Sequence, residues 1–205
     1  MNLINIFSTP IYFNNIKLEK NHISELLNEK YERIKINNGF ATTSKYVLNN
    51  KKLLNLKKEI IKNFNEYAYN FLHIKKHVKF KILNSWCTKH SYNDWSQTHH
   101  HENSLISGIL YLKTFENSGD LILHRNPFLC LFPSTVKIEF DKYTLNNSES
   151  FHIKPKQGDL IFFPSNLQHS VTKNLNKEDR YCCAFNLFPY GKFGSNENYN
   201  FIELK

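Results

Sequence analysis

Between about residues 50 and 74, apolar side chains recur every three to four positions: Leu53, Leu54, Leu56, Ile60, Ile61, Phe64, Tyr67, Ala68, Phe71 and Leu72. This period predicts an amphipathic helix whose apolar stripe packs on the outside of a sheet. Ile23, Leu26, Leu27 and Tyr31 predict another over about 19–35, and 36–49 is polar and irregular around Gly39. Residues 5–13 read as a short strand interrupted by Pro10, hence at a sheet edge. After about residue 78 the pattern changes. Short β-branched or aromatic runs at 79–90, 105–113, 120–124, 135–141, 150–154, 159–164, 168–174 and 180–188 predict eight strands, separated by Asn, Asp, Ser, Gly and Pro. In one of them Val136, Ile138 and Phe140 alternate with Lys137, Glu139 and Asp141, as on a half-buried strand. Helices followed by many strands predict a mainly β fold with α: a cupin-like, double-sheet jelly roll with N-terminal buttressing helices. The 205 residues are expected to form one domain, with a helical part at 1–78, a jelly-roll core at 79–190 and a tail at 191–205.

Composition adds an aromatic-rich core, with 17 Phe and 11 Tyr, and a formal charge of +9. A basic chain can bind nucleic acid, an anionic membrane or an acidic small substrate. Here the lysines are spread along the chain. The densest pairs (Lys51-Lys52, Lys57-Lys58, Lys75-Lys76) fall in the helical part, so a solvated face is the favoured reading over a nucleic-acid surface. Cys87, Cys130, Cys182 and Cys183 fit neither a zinc ribbon nor a disulfide framework. Cys182 and Cys183 are neighbours on a predicted strand and point to opposite faces. Free thiols are the expected state in a reducing cytoplasm, so a cytoplasmic location is expected. The first seven residues lack the pattern of a signal peptide, and no apolar run is long enough for a membrane span.

The chemistry concentrates in two places. Thr98-His99-His100-His101-Glu102 leads directly into the apolar run from Leu105 to Leu112. A mononuclear non-haem iron centre usually takes two His and one carboxylate, leaving positions open. Residues i and i+2 of a strand share a face. Two frames are therefore available: His99 with His101, or His100 with Glu102, which supplies the carboxylate. Downstream, Gly158-Asp159-Leu160-Ile161-Phe162-Phe163-Pro164 is followed by His169, the natural third ligand. Arg180 opens the last core strand. A guanidinium entering a barrel needs an anion, and its planar fork suits the distal carboxylate of a dicarboxylic cosubstrate. A surface salt bridge to Glu178 or Asp179 is the plainer alternative.

In this order the motifs resemble the 2-oxoglutarate/Fe(II) oxygenases common in marine bacteria and their tailed phages, a branch of the prolyl-hydroxylase-like superfamily. The resemblance begins at Ile6-Phe7-Ser8-Thr9-Pro10-Ile11-Tyr12 and includes Ser85-Trp86. It is densest from His99 to Leu112, and continues through Asn117-Ser118-Gly119-Asp120-Leu121 and Gly158–His169 to Arg180–Asn186. It implies a double-stranded β-helix binding Fe(II) and 2-oxoglutarate. The family's His-x-His motif falls on His99 and His101, with His169 as distal ligand and Arg180 as cosubstrate anchor. Tyr111 and Asn186 are the implied pocket-lining residues. Glu102 stands where the family usually has Pro or Ser, so the frame of His100 and Glu102 is kept as an alternative.

The reaction so implied uses molecular oxygen to hydroxylate a protein side chain such as Pro, or a small molecule, with succinate and carbon dioxide as co-products. A nucleic-acid-directed oxygenase is the second expectation. A non-catalytic cupin-like protein that binds a metal or ligand is the third.

Overall fold

The computed structural model describes residues 6, 8–34, 38–127, 130, 136, 138–194 and 199–204. Among the described residues, twelve strands form two antiparallel sheets: β1 (Tyr12–Asn15), β2 (Tyr31–Arg33), β3 (Phe40–Thr42), β4 (Lys79–His90), β5 (Ser96–His99), β6 (Ile106–Lys113), β7 (Leu121–His124), β8 (Ser150–Ile153), β9 (Asp159–Pro164), β10 (His169–Val171), β11 (Arg180–Phe193) and β12 (Ile202–Leu204). The large sheet runs β1-β9-β6-β11-β4-β3-β2, with β12 paired to β11, and the small one runs β5-β10-β7-β8. Helices α1 (Lys20–Leu27) and α2 (Leu54–Asn65) supply the remaining layer. Among the described residues no helix is long and apolar enough to cross a membrane.

Both faces of β6 are covered, and the strand correspondingly lacks a polar side. Ile106, Leu110 and Leu112 join a core with Leu56, Ile60 and Phe64 of α2, whereas Ile109 and Tyr111 point the other way, into a core with Leu121 and Leu123 of β7. β9 divides identically, Leu160 and Phe162 against Ile161 and Phe163, and β11 places Cys183, Phe185 and Leu187 against Cys182. Cys182 and Cys183 thus face opposite cores, as the strand period requires. The barrel interior between the sheets is therefore lined by every second residue of β6, β9 and β11. Strand β4 joins this lining through an irregularity. Across from β11, Asn84 pairs with Asn186 but Ile82 pairs with Leu187, leaving Leu83 as an extra residue. The bulge exchanges the faces. Phe80 and Ile82 pack with the helices, and beyond the bulge Cys87 does so, which sends Thr88 and His90 inward to Cys182 and Arg180.

Several predicted elements differ from those observed. The helix expected over about 19–35 ends at Leu27, and Tyr31 opens β2 instead. Its hydroxyl donates to Leu26 O at 2.9 Å and its ring packs against Tyr181, so the side chain reaches the core without continuing the helix. The helix expected over 50–74 begins in two 3-10 turns and finishes in a π-helical turn at Glu66–Phe71. Residues 8–11 have no strand, because pairing with β9 starts only at Tyr12, beyond the proline; Asn5 and Phe7 lie outside the described residues. Of the strand predicted at 135–141, Thr135 and Lys137 lie outside the described residues, while Val136 and Ile138 are exposed and outside any strand. Strand β5 falls in a stretch read as loop. The part expected to be helical also contributes β1, β2 and β3 to the large sheet, and the expected tail contains β12, which pairs through Gly191 and Leu204.

Candidate active site

Short β5 pairs with β10, placing His99 directly opposite His169. His101 lies two residues past the end of β5, in a segment whose backbone is held by a bond from His101 N to Ser165 O at 3.0 Å. The ligating atoms of His99, His101 and His169 all lie within 4.8 Å of one another. His100 and Glu102 are exposed and stand outside this group.

The same nitrogen is engaged in each ring. His99 Nδ1 donates to Gln97 O at 2.8 Å, His169 Nδ1 to Leu167 O at 3.0 Å, and His101 Nδ1 to Asn186 Oδ1 at 2.7 Å. These oxygens only accept, so Nδ1 carries the proton and Nε2 keeps its lone pair, the state a metal-binding imidazole needs. Ser107 Oγ lies 2.8 Å from His101 Nδ1 and donates to Asn186 Oδ1 at 3.0 Å, locking the carboxamide in place. Burial favours the uncharged forms. It lowers the pKa of His169 to about 3, assisted by His99, and that of His101 to about 4 despite the opposing Asn186 bond. The Trp86 ring lies 5.4 Å from that of His101, and Phe163 lies 4.9 Å from His169. Three inward lone pairs on neutral, oriented rings are a donor set that fits a divalent iron ion.

Arg180 is buried in the same interior, beside Tyr111. Its NH1 donates to Gly119 O at 3.3 Å and its NH2 to His90 Nδ1 at 3.0 Å, and its guanidinium lies 5.7 Å from the Tyr111 ring. Nε is buried without a partner among the described residues. Among the described residues no carboxylate pairs with this cation. The two adjacent acids are engaged elsewhere, Glu178 with Lys113 at 3.3 Å and Asp179 with Lys89 at 3.4 Å. A buried guanidinium without an anion is costly, and an incoming carboxylate would relieve that cost. Tyr111, fully buried beside it, has its phenol pKa raised by burial, against the opposing effect of Arg180. Asn84 Oδ1, next to Asn186 across the strand pair, is the other buried polar atom without a partner among the described residues.

The interior thus gathers His99, His101, His169, Asn186, Tyr111 and Arg180, all singled out in the sequence. Asn186 lies against a histidine rather than against Arg180. Sequence reasoning missed the contributions of Ser107 and His90. A lone serine within the apolar run of β6 was the available signal for Ser107. No local signal marked His90, whose inward direction depends on the bulge at Leu83.

A family model for 2OG-Fe(II) oxygenases matches residues 84–186, half of the chain. The fold is similar to that of the non-heme alpha ketoglutarate dependent epimerase SnoN from nogalamycin biosynthesis (TM-score 0.62, 12% identity, covering 93% of this chain and 83% of that one). It is also similar to HygX from Streptomyces hygroscopicus, solved with nickel and 2-oxoglutarate bound (TM-score 0.59, 10% identity, 87% and 82%). A third similar structure is the viral collagen prolyl hydroxylase vCPH from Paramecium Bursaria Chlorella virus-1 in its 2OG complex (TM-score 0.52, 15% identity, 86% and 94%). No curated protein matches the chain. At these identities the solved structures speak for the double-stranded β-helix alone, and the family match speaks for the chemistry: the chain belongs to the 2OG-Fe(II) oxygenases.

Proposed function

We propose that the protein hydroxylates an unactivated C–H bond of a protein side chain such as Pro, or of a small molecule, with His99, His101 and His169 holding iron and Arg180 holding the distal carboxylate of 2-oxoglutarate. Bound there, iron and 2-oxoglutarate would supply an oxidation by molecular oxygen coupled to decarboxylation, releasing succinate and carbon dioxide. The chain's own residues prepare the site. Gln97 O, Leu167 O and Asn186 Oδ1 fix the three imidazoles as Nε2 ligands. Arg180 offers unused N–H groups to a carboxylate. Tyr111 lies beside it and packs with Ile161, Phe163 and Leu123 in an apolar interior, where a charge pair is stronger than in water. Trp86, half-buried against His101, forms part of the wall a substrate would meet.

The buried, acid-free Arg180 carries this reading, because a cupin-like protein that only held a metal would have no use for it. A nucleic-acid substrate is disfavoured by charge placement. Lys57, Lys58, Lys62 and Lys76 border a groove on α2, and α2 packs on the face of the large sheet away from the barrel interior.

The test is an anaerobic titration of the Fe(II)-loaded protein with 2-oxoglutarate, following the visible metal-to-ligand charge-transfer band. The expected result is a saturable band that Arg180→Ala shifts to much higher cosubstrate concentration. Iron binding with no band at any concentration would instead make this a metal-binding protein and remove Arg180 from its role.

A further inference from the structure

Arg180 is held by a residue whose presence there the cosubstrate reading leaves unexplained. His90 sits directly opposite it across β4 and β11, and both side chains are buried. An arginine N–H can only donate, so the 3.0 Å contact from Arg180 NH2 requires a lone pair on His90 Nδ1. The ring proton is then on Nε2, which lies 3.2 Å from Ser96 Oγ and can donate to it. The imidazole is therefore uncharged by geometry. Burial and the adjacent guanidinium act in the same direction, lowering its pKa to about 3.

The residue is held at ring and backbone alike. A Cβ on Gly39 would come within 2.5 Å of His90 Cδ2, so the chain passes this face closely enough to need a glycine, at φ +147°. At the backbone, Asn174 Nδ2 donates to His90 O at 2.8 Å. The usual partner for a buried arginine is a carboxylate, which would satisfy its hydrogen bonds and cancel its charge. An imidazole provides the hydrogen bond without the charge.

We propose that His90 is a positioning residue for the cosubstrate: it orients the Arg180 guanidinium as an uncharged acceptor, leaving the full positive charge for the distal carboxylate of 2-oxoglutarate. This rests on the role of Arg180 given above. Two consequences separate it from a merely structural role. An acid at position 90 should compete with the cosubstrate. The effect of removing the imidazole should also depend on the cosubstrate's distal carboxylate.

The experiment measures calorimetric binding of 2-oxoglutarate, and of 2-oxopentanoate, which lacks the distal carboxylate, to the anaerobic Fe(II) protein. Wild type, His90→Leu, His90→Asn and His90→Asp are compared, with circular dichroism as a check on folding. His90→Leu should weaken 2-oxoglutarate by ~10-fold, the loss of one hydrogen bond to a charged group. His90→Asn, whose carboxamide oxygen can accept in place of Nδ1, should remain within ~3-fold of wild type. His90→Asp should lose ~10-fold or more by neutralising Arg180. Binding of 2-oxopentanoate should be the same in all four. Wild-type affinity in His90→Leu, or equal losses for the two keto acids, would overturn the inference. If His90→Leu does not fold, the contrast between Asn and Asp decides, and equal affinities there would sink the idea. Failure of the wild type itself to bind 2-oxoglutarate would remove the Arg180 assignment, and this one with it.

Discussion

At the scale of single residues, the site is governed by which atom of each imidazole is tied back. Asn186 Oδ1 is the acceptor that keeps the proton of His101 on Nδ1, and Ser107 holds that carboxamide. Removing such a support usually costs ~10- to 100-fold in metal affinity. Asn186→Ala should therefore weaken Fe(II) binding by about that factor in competition with a chromophoric chelator. His101→Ala should cost more, and Glu102→Ala, at an exposed position outside the cluster, should cost nothing measurable. The opposite order for His101 and Glu102 would restore the frame of His100 and Glu102. A site of three neutral histidines is also less anionic than one with a carboxylate ligand, which leaves more positive charge to attract an anionic cosubstrate.

At the scale of elements, close packing of β6, β9 and β11 sets where the site can form. Gly108 lies on β6 between Phe162 and Phe185, whose rings meet at 5.9 Å. A Cβ at Gly108 would collide with the Phe185 ring and come within 3.0 Å of Phe162. Gly108→Val should consequently destabilise the fold by ~1–3 kcal/mol through overpacking, measured by denaturant unfolding. A stability equal to wild type would show that the rings have room to move apart. These strands were legible in the sequence because their apolar runs are long and bounded by turn residues. The strand β5 was not. Its Ser96-Gln97-Thr98-His99 sequence carries no hydrophobic signal, and it becomes a strand only by pairing with β10. Tyr31 shows the converse: its spacing continued a helical stripe, but hydrogen bonding with β3 recruited it to a strand.

At the scale of the whole molecule, two cores share one large sheet: a mainly apolar core under the helices, and an interior between the sheets that carries the buried histidines and Arg180. Burying those groups makes stability sensitive to acid. The pKa of His90 is lowered from 6.5 to about 3 in the folded chain, so the unfolded chain takes up its proton first as the pH falls. Its contribution is complete above about 6.5 and is lost progressively as the pH drops toward about 3. Among the described residues, the charged group it contacts is Arg180, which reinforces the shift. Between pH 7 and 5, the metal-free wild type should lose more unfolding free energy than His90→Asn, which has no proton to gain. Parallel losses in denaturant melts would show that His90 is not kept neutral by the fold.

The class of this protein is legible from its residues alone. Its two apolar periods separated helices from strands, and the ordered His, Gly-Asp and Arg motifs carried the family, because those signals reside in neighbouring residues. The motif order named His99, His101 and His169, but the tertiary structure brings them together: β5 pairs with β10 to set His99 opposite His169, and Ser165 O holds the backbone of His101 beside them. It also decided that Arg180 lies without an acid while Glu178 and Asp179, its neighbours in the chain, turn to lysines. The reason is physical. A strand's face is set by its hydrogen-bonding register, and a single extra residue such as Leu83 reverses every side chain beyond it.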